Sequence, residues 1–144
     1  MRYYADSSFL VSCYLLDANT ARAKNYLGRL GAPLVFTSLQ VLEVGNAFEL
    51  GVFRRLFSGA DAAAARANLE LDLRSGRLVK TAVNWPLVFR VASALSKRHS
   101  SSAGTRSMDI LHVAAARALR ASEFISFDSR QRVLATALGL KVAP

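Results

Sequence analysis

The sequence predicts an α/β fold with a mostly parallel sheet. Three observations carry that expectation: short β-branched and aromatic runs alternate with helical periods, the runs pass at their carboxyl ends directly into helices, and 144 residues leave room for one packed core. Residues 1–144 are therefore read as a single domain, with one site to look for.

Arg2 to Ala5 reads as the first strand, and Asp6-Ser7-Ser8 caps an apolar helical turn over Phe9, Leu10, Cys13 and Tyr14. An amphipathic helix follows over Thr20 to Leu30 and ends near Gly31-Ala32-Pro33. Leu34 to Thr37 suits a second strand, after which Ser38 is expected to cap a long helix reaching to about Phe57, closed by Ser58-Gly59. Asp61 to Arg74 sets alanine, leucine and charge at helical spacing, and Ser75-Gly76 stops that helix before a short strand at Leu78 to Thr81. Asn84 caps the next helix, Pro86 sits in its first turn, and Leu87, Val88, Val91, Ala92 and Leu95 share one of its faces. Ser100 to Thr105, flanked by Lys97-Arg98 and Arg106, is expected to be an exposed, mobile loop. Ser107 then caps a helix from about Met108 to Arg120. A strand at Glu123 to Phe127, a short helix through Leu138, a stop at Gly139 and a last strand at Leu140 to Val142 complete the order.

With 52% hydrophobic and 20% charged residues, the chain falls in the soluble globular class and outside the disordered one. The apolar run Phe9 to Leu16 is too short for a membrane span, which needs about 20 residues. Asp6 interrupts the pattern of a secretory signal, so a cytoplasmic location is expected. The single cysteine, Cys13, has no internal disulfide partner and reads as a small buried hydrophobe. The net charge of +9, carried mostly by arginine, favours a polyanion such as nucleic acid and is also compatible with an acidic protein partner.

Four acids fall where a parallel sheet gathers its ligands. Asp6 and Asp128 follow predicted strands, while Glu43 and Asp109 open predicted helices; the crevice of such a sheet lies outside the carboxyl ends of its strands. Each acid has a plainer reading: Asp6 and Asp109 as helix N-terminal acids, Asp128 as a turn residue. Against it, Glu43 lies among Val41, Leu42, Val44 and Ala47, and Asp109 among Met108, Ile110 and Leu111. Carboxylates in apolar surroundings, with no neighbouring Lys or Arg taken as a partner, need another cation. Hard oxygen ligands suit Mg²⁺ or Mn²⁺, and the chain lacks the cysteines and histidines of a zinc site. Such ions activate water and steady the leaving oxygen in phosphodiester cleavage.

The segments YYADSSFLV, TSLQVLEVGNAFELG, SMDILHVAAARAL and FISFDSRQRVLATALGLKV resemble, in order and spacing, the acidic motifs of PIN-domain proteins, most closely the VapC toxins of VapBC toxin–antitoxin pairs. The resemblance covers nearly the whole chain. It implies a Rossmann-like three-layer α/β/α sandwich and a Mg²⁺- or Mn²⁺-dependent endoribonuclease held inactive by a VapB-type antitoxin. By position it makes Asp6, Glu43, Asp109 and Asp128 the metal-binding, catalytic acids. It places Ser7 at the small hydroxyl position after the first acid, and Ser126 where many relatives carry threonine; both hydroxyls are candidates to orient a ligand or its water.

His112, one helical turn after Asp109, is either a general acid or base or, as two-metal cleavage would favour, a packing and hydrogen-bonding residue. Asn46, three residues after Glu43, is a candidate to steady that carboxylate. Lys97, Arg98, Arg106, Arg130 and Arg132 are the candidates to grip RNA phosphates. Phe48, Leu50, Val52, Phe53, Leu56 and Phe57 exceed what one buried stripe needs, so an antitoxin segment is expected over that helix and the one at Thr20 to Leu30, with a homodimer formed through another face. Competing readings are a non-catalytic nucleic-acid- or protein-binding domain of the same fold and a housekeeping nuclease outside a toxin–antitoxin pair. A phosphotransfer domain with an aspartyl nucleophile fits less well, because it wants a second acid where Ser8 stands.

Overall fold

The structure, a computed structural model, describes residues 1–144. The chain runs β1 (Tyr3–Ala5), α1 (Ser7–Tyr14), α2 (Thr20–Leu30), β2 (Leu34–Phe36), α3 (Ser38–Phe53), α4 (Gly59–Ser75), β3 (Leu78–Lys80), α5 (Trp85–Leu95), a π-helical turn (Ser96–Ser100), α6 (Ser101–Ala103), α7 (Ser107–Ala118), β4 (Glu123–Ile125), α8 (Ser129–Ala137) and β5 (Val142–Ala143). The residues gather into two compact units, Met1–Asp6 with Ala82–Pro144, and Ser7–Thr81. No helix is long and apolar enough to cross a membrane.

In the first unit β1 pairs in parallel with β4, Tyr3 to Ala5 opposite Glu123 to Ile125, and β4 pairs in parallel with β5. Parallel strands covered on both faces read as continuous apolar runs, and Tyr4, Ala5, Phe124 and Ile125 are all fully buried. Tyr4 stacks on Phe124 with centroids 5.9 Å apart. Packed against α5, α7 is buried at every position from Asp109 to Ala116. Its alanines let neighbouring backbones approach closely, and a helix apolar on all sides belongs inside. Asn84 opens α5 by accepting from Leu87 N at 3.1 Å, with proline in the first turn.

In the second unit β2 pairs in parallel with β3, Leu34 opposite Leu78. Phe9, Val44 and Phe48 are fully buried in its core, with Tyr14 edge-on to Phe48 at 6.5 Å. α2 has the bounds expected from sequence, and Gly31 ends it in the left-handed region at φ 58°, where glycine carries no Cβ penalty.

Three expectations are corrected. The residue preceding α3 is Thr37, whose N–H donates to Gln40 Oε1 at 2.7 Å; Ser38 is already inside the helix. That helix stops at Phe53, since Arg55 turns the backbone to φ 58°, and Ser58 opens α4 through a reciprocal pairing with Asp61 instead of closing α3. Ser100 to Thr105 is not an open loop: the π-helical turn and α6 prolong α5 as far as Gly104. The serine hydroxyls bond back onto the turn, Ser102 Oγ to His99 O at 3.0 Å and Ser100 Oγ with Thr105 Oγ1 at 2.9 Å, so the polar run closes on itself.

Candidate active site

Asp6 is the first residue past β1. Its N–H donates to Ile125 O at 3.0 Å, so the pairing of β1 with β4 also fixes Asp6. Its fully buried carboxylate accepts from Ser126 Oγ at 2.5 Å, and the same hydroxyl oxygen accepts from Asp128 N at 3.0 Å. Asp128 caps α8, its Oδ1 accepting from Arg130 N at 2.9 Å and Gln131 N at 3.1 Å.

Asp109, in the first turn of α7 and 2% exposed, accepts from Gln131 Nε2 at 3.1 Å. Arg106 wraps the same carboxylate: its backbone N and its Nε each donate to Oδ2 at 3.0 Å, and Nη2 donates to Oδ1 at 3.3 Å. Nη2 also lies 3.6 Å from Asp128 Oδ2. Asp6, Asp109 and Asp128 are thereby joined in one network through Ser126, Gln131 and Arg106. Burial pushes the Asp109 carboxyl up, but the hydrogen bonds and charge of Arg106, with the bond from Gln131, outweigh it and hold Asp109 below the usual carboxylate range. The absence of a basic partner expected from sequence is thus corrected. An R-x-x-D spacing across a helix start was the available signal, because residues three apart meet on one face.

Glu43 belongs to the other unit and is half-buried; its Oε2 accepts from Ser7 Oγ at 2.7 Å. Of the apolar neighbours that set it apart in the sequence, Val44 is fully buried while Val41 and Leu42 are 51% and 68% exposed. Asn46 is exposed. His112 is buried and shares a 2.9 Å hydrogen bond through Nδ1 with Tyr4 Oη. Among the basic candidates, Lys97, Arg98 and Arg130 are exposed. Arg132 donates through Nη1 to Ser126 O at 2.8 Å and Pro144 O at 2.9 Å, which spends its guanidinium partly on the chain itself.

No group of three or more His, Cys, Asp or Glu side chains stands ready to hold one ion. The donor chemistry still fits a hard divalent cation: the acids offer oxygen only, and the positive charge beside Asp109 and Asp128 is supplied by a guanidinium. One further acceptor is unspent, since Gln131 Oε1 is buried without a hydrogen-bond partner while its Nε2 is committed to Asp109. A buried carbonyl oxygen of that kind is suited to a donor such as an ordered water. Gln131 was not among the residues singled out from sequence; its spacing three residues after Asp128, on the first turn of α8, was its only signal.

The chain belongs to the PIN domain family, whose model matches residues 3–137. PIN domains are generally nucleases and generally use divalent metals. No curated protein sequence matches the chain. A crystal structure of FitAcB from Neisseria gonorrhoeae is similar to it, at 15% identity and a TM-score of 0.67, over 99% of this chain and 96% of that one. At that identity the likeness concerns the fold, which is the one expected from sequence: an α/β three-layer sandwich with a parallel five-stranded sheet.

Proposed function

We propose that this chain is a Mg²⁺- or Mn²⁺-dependent endoribonuclease, the VapC-like toxin of a toxin–antitoxin pair, folded over residues 1–144 as one PIN domain and working in the cytoplasm. The observation that carries the reading is the network joining Asp6, Asp109 and Asp128, three carboxylates far apart in sequence and linked by Ser126, Gln131 and Arg106. Like charges gathered in this way are costly unless a cation is among them.

Asp6, Asp109 and Asp128 are the residues that would hold the ion. Glu43, whose carboxylate accepts from Ser7 Oγ, is proposed as the fourth by its position among the acidic motifs of the family. A bound divalent ion supplies a water acidic enough to attack at neutral pH and steadies the leaving oxygen. The chain supplies the rest: Ser126 orients Asp6, Gln131 orients Asp109, and the exposed cations Lys97, Arg98 and Arg130 grip phosphates of the substrate.

An antitoxin and a second copy of the chain are the proposed partners. Val41, Leu42, Phe53 and Leu56, on α3 and just past it, are 51%, 68%, 84% and 71% exposed, more apolar surface than a lone helix face carries without a partner, and the antitoxin is assigned there together with α2. The Arg106 bridge favours one second reading, a PIN fold that binds nucleic acid or protein without cutting, in which the guanidinium is the permanent counter-ion.

Incubation with a structured RNA separates the two. The nuclease reading expects cleavage with Mg²⁺ or Mn²⁺, its loss with chelator and its return when metal is restored in excess. Cleavage that chelator leaves untouched, or none under any metal, rejects it.

A further inference from the structure

We propose that Arg106 is a built-in counter-ion that exchanges with the divalent cation at Asp109 and Asp128, and that its released guanidinium then takes a substrate phosphate. The proposal rests on the cation reading above and adds a role for a residue of this chain. Arg106 and a metal ion would compete for the same atoms, both oxygens of Asp109 and Oδ2 of Asp128. The side chain of Arg106 is 66% exposed, so it leaves into solvent without opening the core, and an ion pair that exposed is weakly held.

Asp109 is not abandoned when the side chain departs. The backbone N of Arg106 still donates to its Oδ2 at 3.0 Å and Gln131 Nε2 still donates to its Oδ1 at 3.1 Å. The start of α7 and the carboxylate therefore keep their geometry while the guanidinium swings. Tethered one residue before α7, the freed fork of donors stays beside the acids, and a guanidinium matches phosphate oxygens as readily as carboxylate ones. Loading the ion thus turns Arg106 from the protein's own acids toward the phosphodiester.

The test is a titration of the full chain with Mn²⁺, read as loss of the free-ion EPR signal, in wild type, Arg106→Ala, Arg106→Gln and Arg117→Ala. Arg117 lies about three helical turns further along, near the end of α7, and controls for the change in net charge. Removing a competitor tightens binding by the coupling between the two ligands, roughly fivefold or more for both Arg106 variants, with Arg117→Ala close to wild type. In wild type a Mg²⁺ titration is expected to shift the Arg106 Nε–Hε NMR signal as the guanidinium leaves Asp109. Equal Mn²⁺ affinity in all four proteins, equal tightening in Arg117→Ala, or an Arg106 signal indifferent to saturating Mg²⁺ overturns the exchange while leaving the cation reading in place. Absence of Mn²⁺ binding in every protein overturns both.

Discussion

Ser126 donates its hydroxyl to Asp6 at 2.5 Å across 120 positions of sequence, and with the same oxygen accepts the backbone N–H of Asp128. One side chain thereby ties the acid after β1 to the acid that caps α8.

Ser126→Ala removes a donor from a fully buried carboxylate, a loss worth about 1–3 kcal/mol of stability. The same change loosens an oriented acid, and residues that orient ligands typically cost about 10–100-fold in metal affinity or activity when removed. Ser126→Thr keeps the hydroxyl and should retain most of both. Urea unfolding alongside RNA cleavage in the two variants checks the pair of expectations.

Cys13 should be inert in the folded protein. Burial pushes its thiol up to about 12, against a smaller opposing pull from Lys24, so almost no thiolate exists near neutrality. Alkylation by iodoacetamide at pH 8.5 is expected to be slow in buffer and fast in urea. The same shift has a consequence for stability: above pH 9 the unfolded thiol ionises while the folded one keeps its proton, so Cys13 lowers stability as pH rises from about 9 to 12. Cys13→Ala should flatten that alkaline decline, as thermal melts across the range would show.

Gly51 is buried in α3, and the Phe57 ring lies over its Cα where a methyl would overlap it. Gly51→Ala should force the ring outward and unsettle the turn after α3, at a net cost of about 1 kcal/mol once the helix propensity gained by alanine is set against the lost packing. Gly51→Ala combined with Phe57→Ala should lose little more than Phe57→Ala alone, and a double-mutant cycle by chemical denaturation measures the coupling.

Lys141 Nζ reaches Glu123 Oε2 at 2.6 Å, and the Glu123 side chain is only 6% exposed. Lys141→Met strands a mostly buried carboxylate and is expected to lower the urea midpoint. The pair holds Lys141 charged above its ordinary range, so its contribution is complete below pH about 10 and is lost as pH rises through the raised value.

What could be read from the sequence follows from how local each signal is. α2 and the start of α5 are set by neighbours in sequence, Gly31 at one and Asn84 with Pro86 at the other, and their positions are those expected. α3 ends where Arg55 turns the backbone to φ 58° and the Phe57 ring comes to lie over Gly51, neither of which periodicity reveals, so the expected helix runs too far. Ser100 to Thr105 has the composition of a loop, yet its hydroxyls close onto the preceding turn, which composition does not show. At the site the acids stood out by their places after strands and at helix starts. Their partners did not: Arg106 looked like one surface cation among many although its spacing to Asp109 is local, and Gln131, which looked like an ordinary helix residue, is set against Asp109 only by tertiary packing.

Single-turnover cleavage of an RNA substrate in Mg²⁺, comparing wild type with Asp6→Asn and Asp109→Asn proteins whose far-UV spectra and melts show them folded, addresses the cation-holding role of the acids most directly. Wild type is expected to cut, and each variant to lose about 100-fold or more. Variants that cut as fast as wild type would contradict that role.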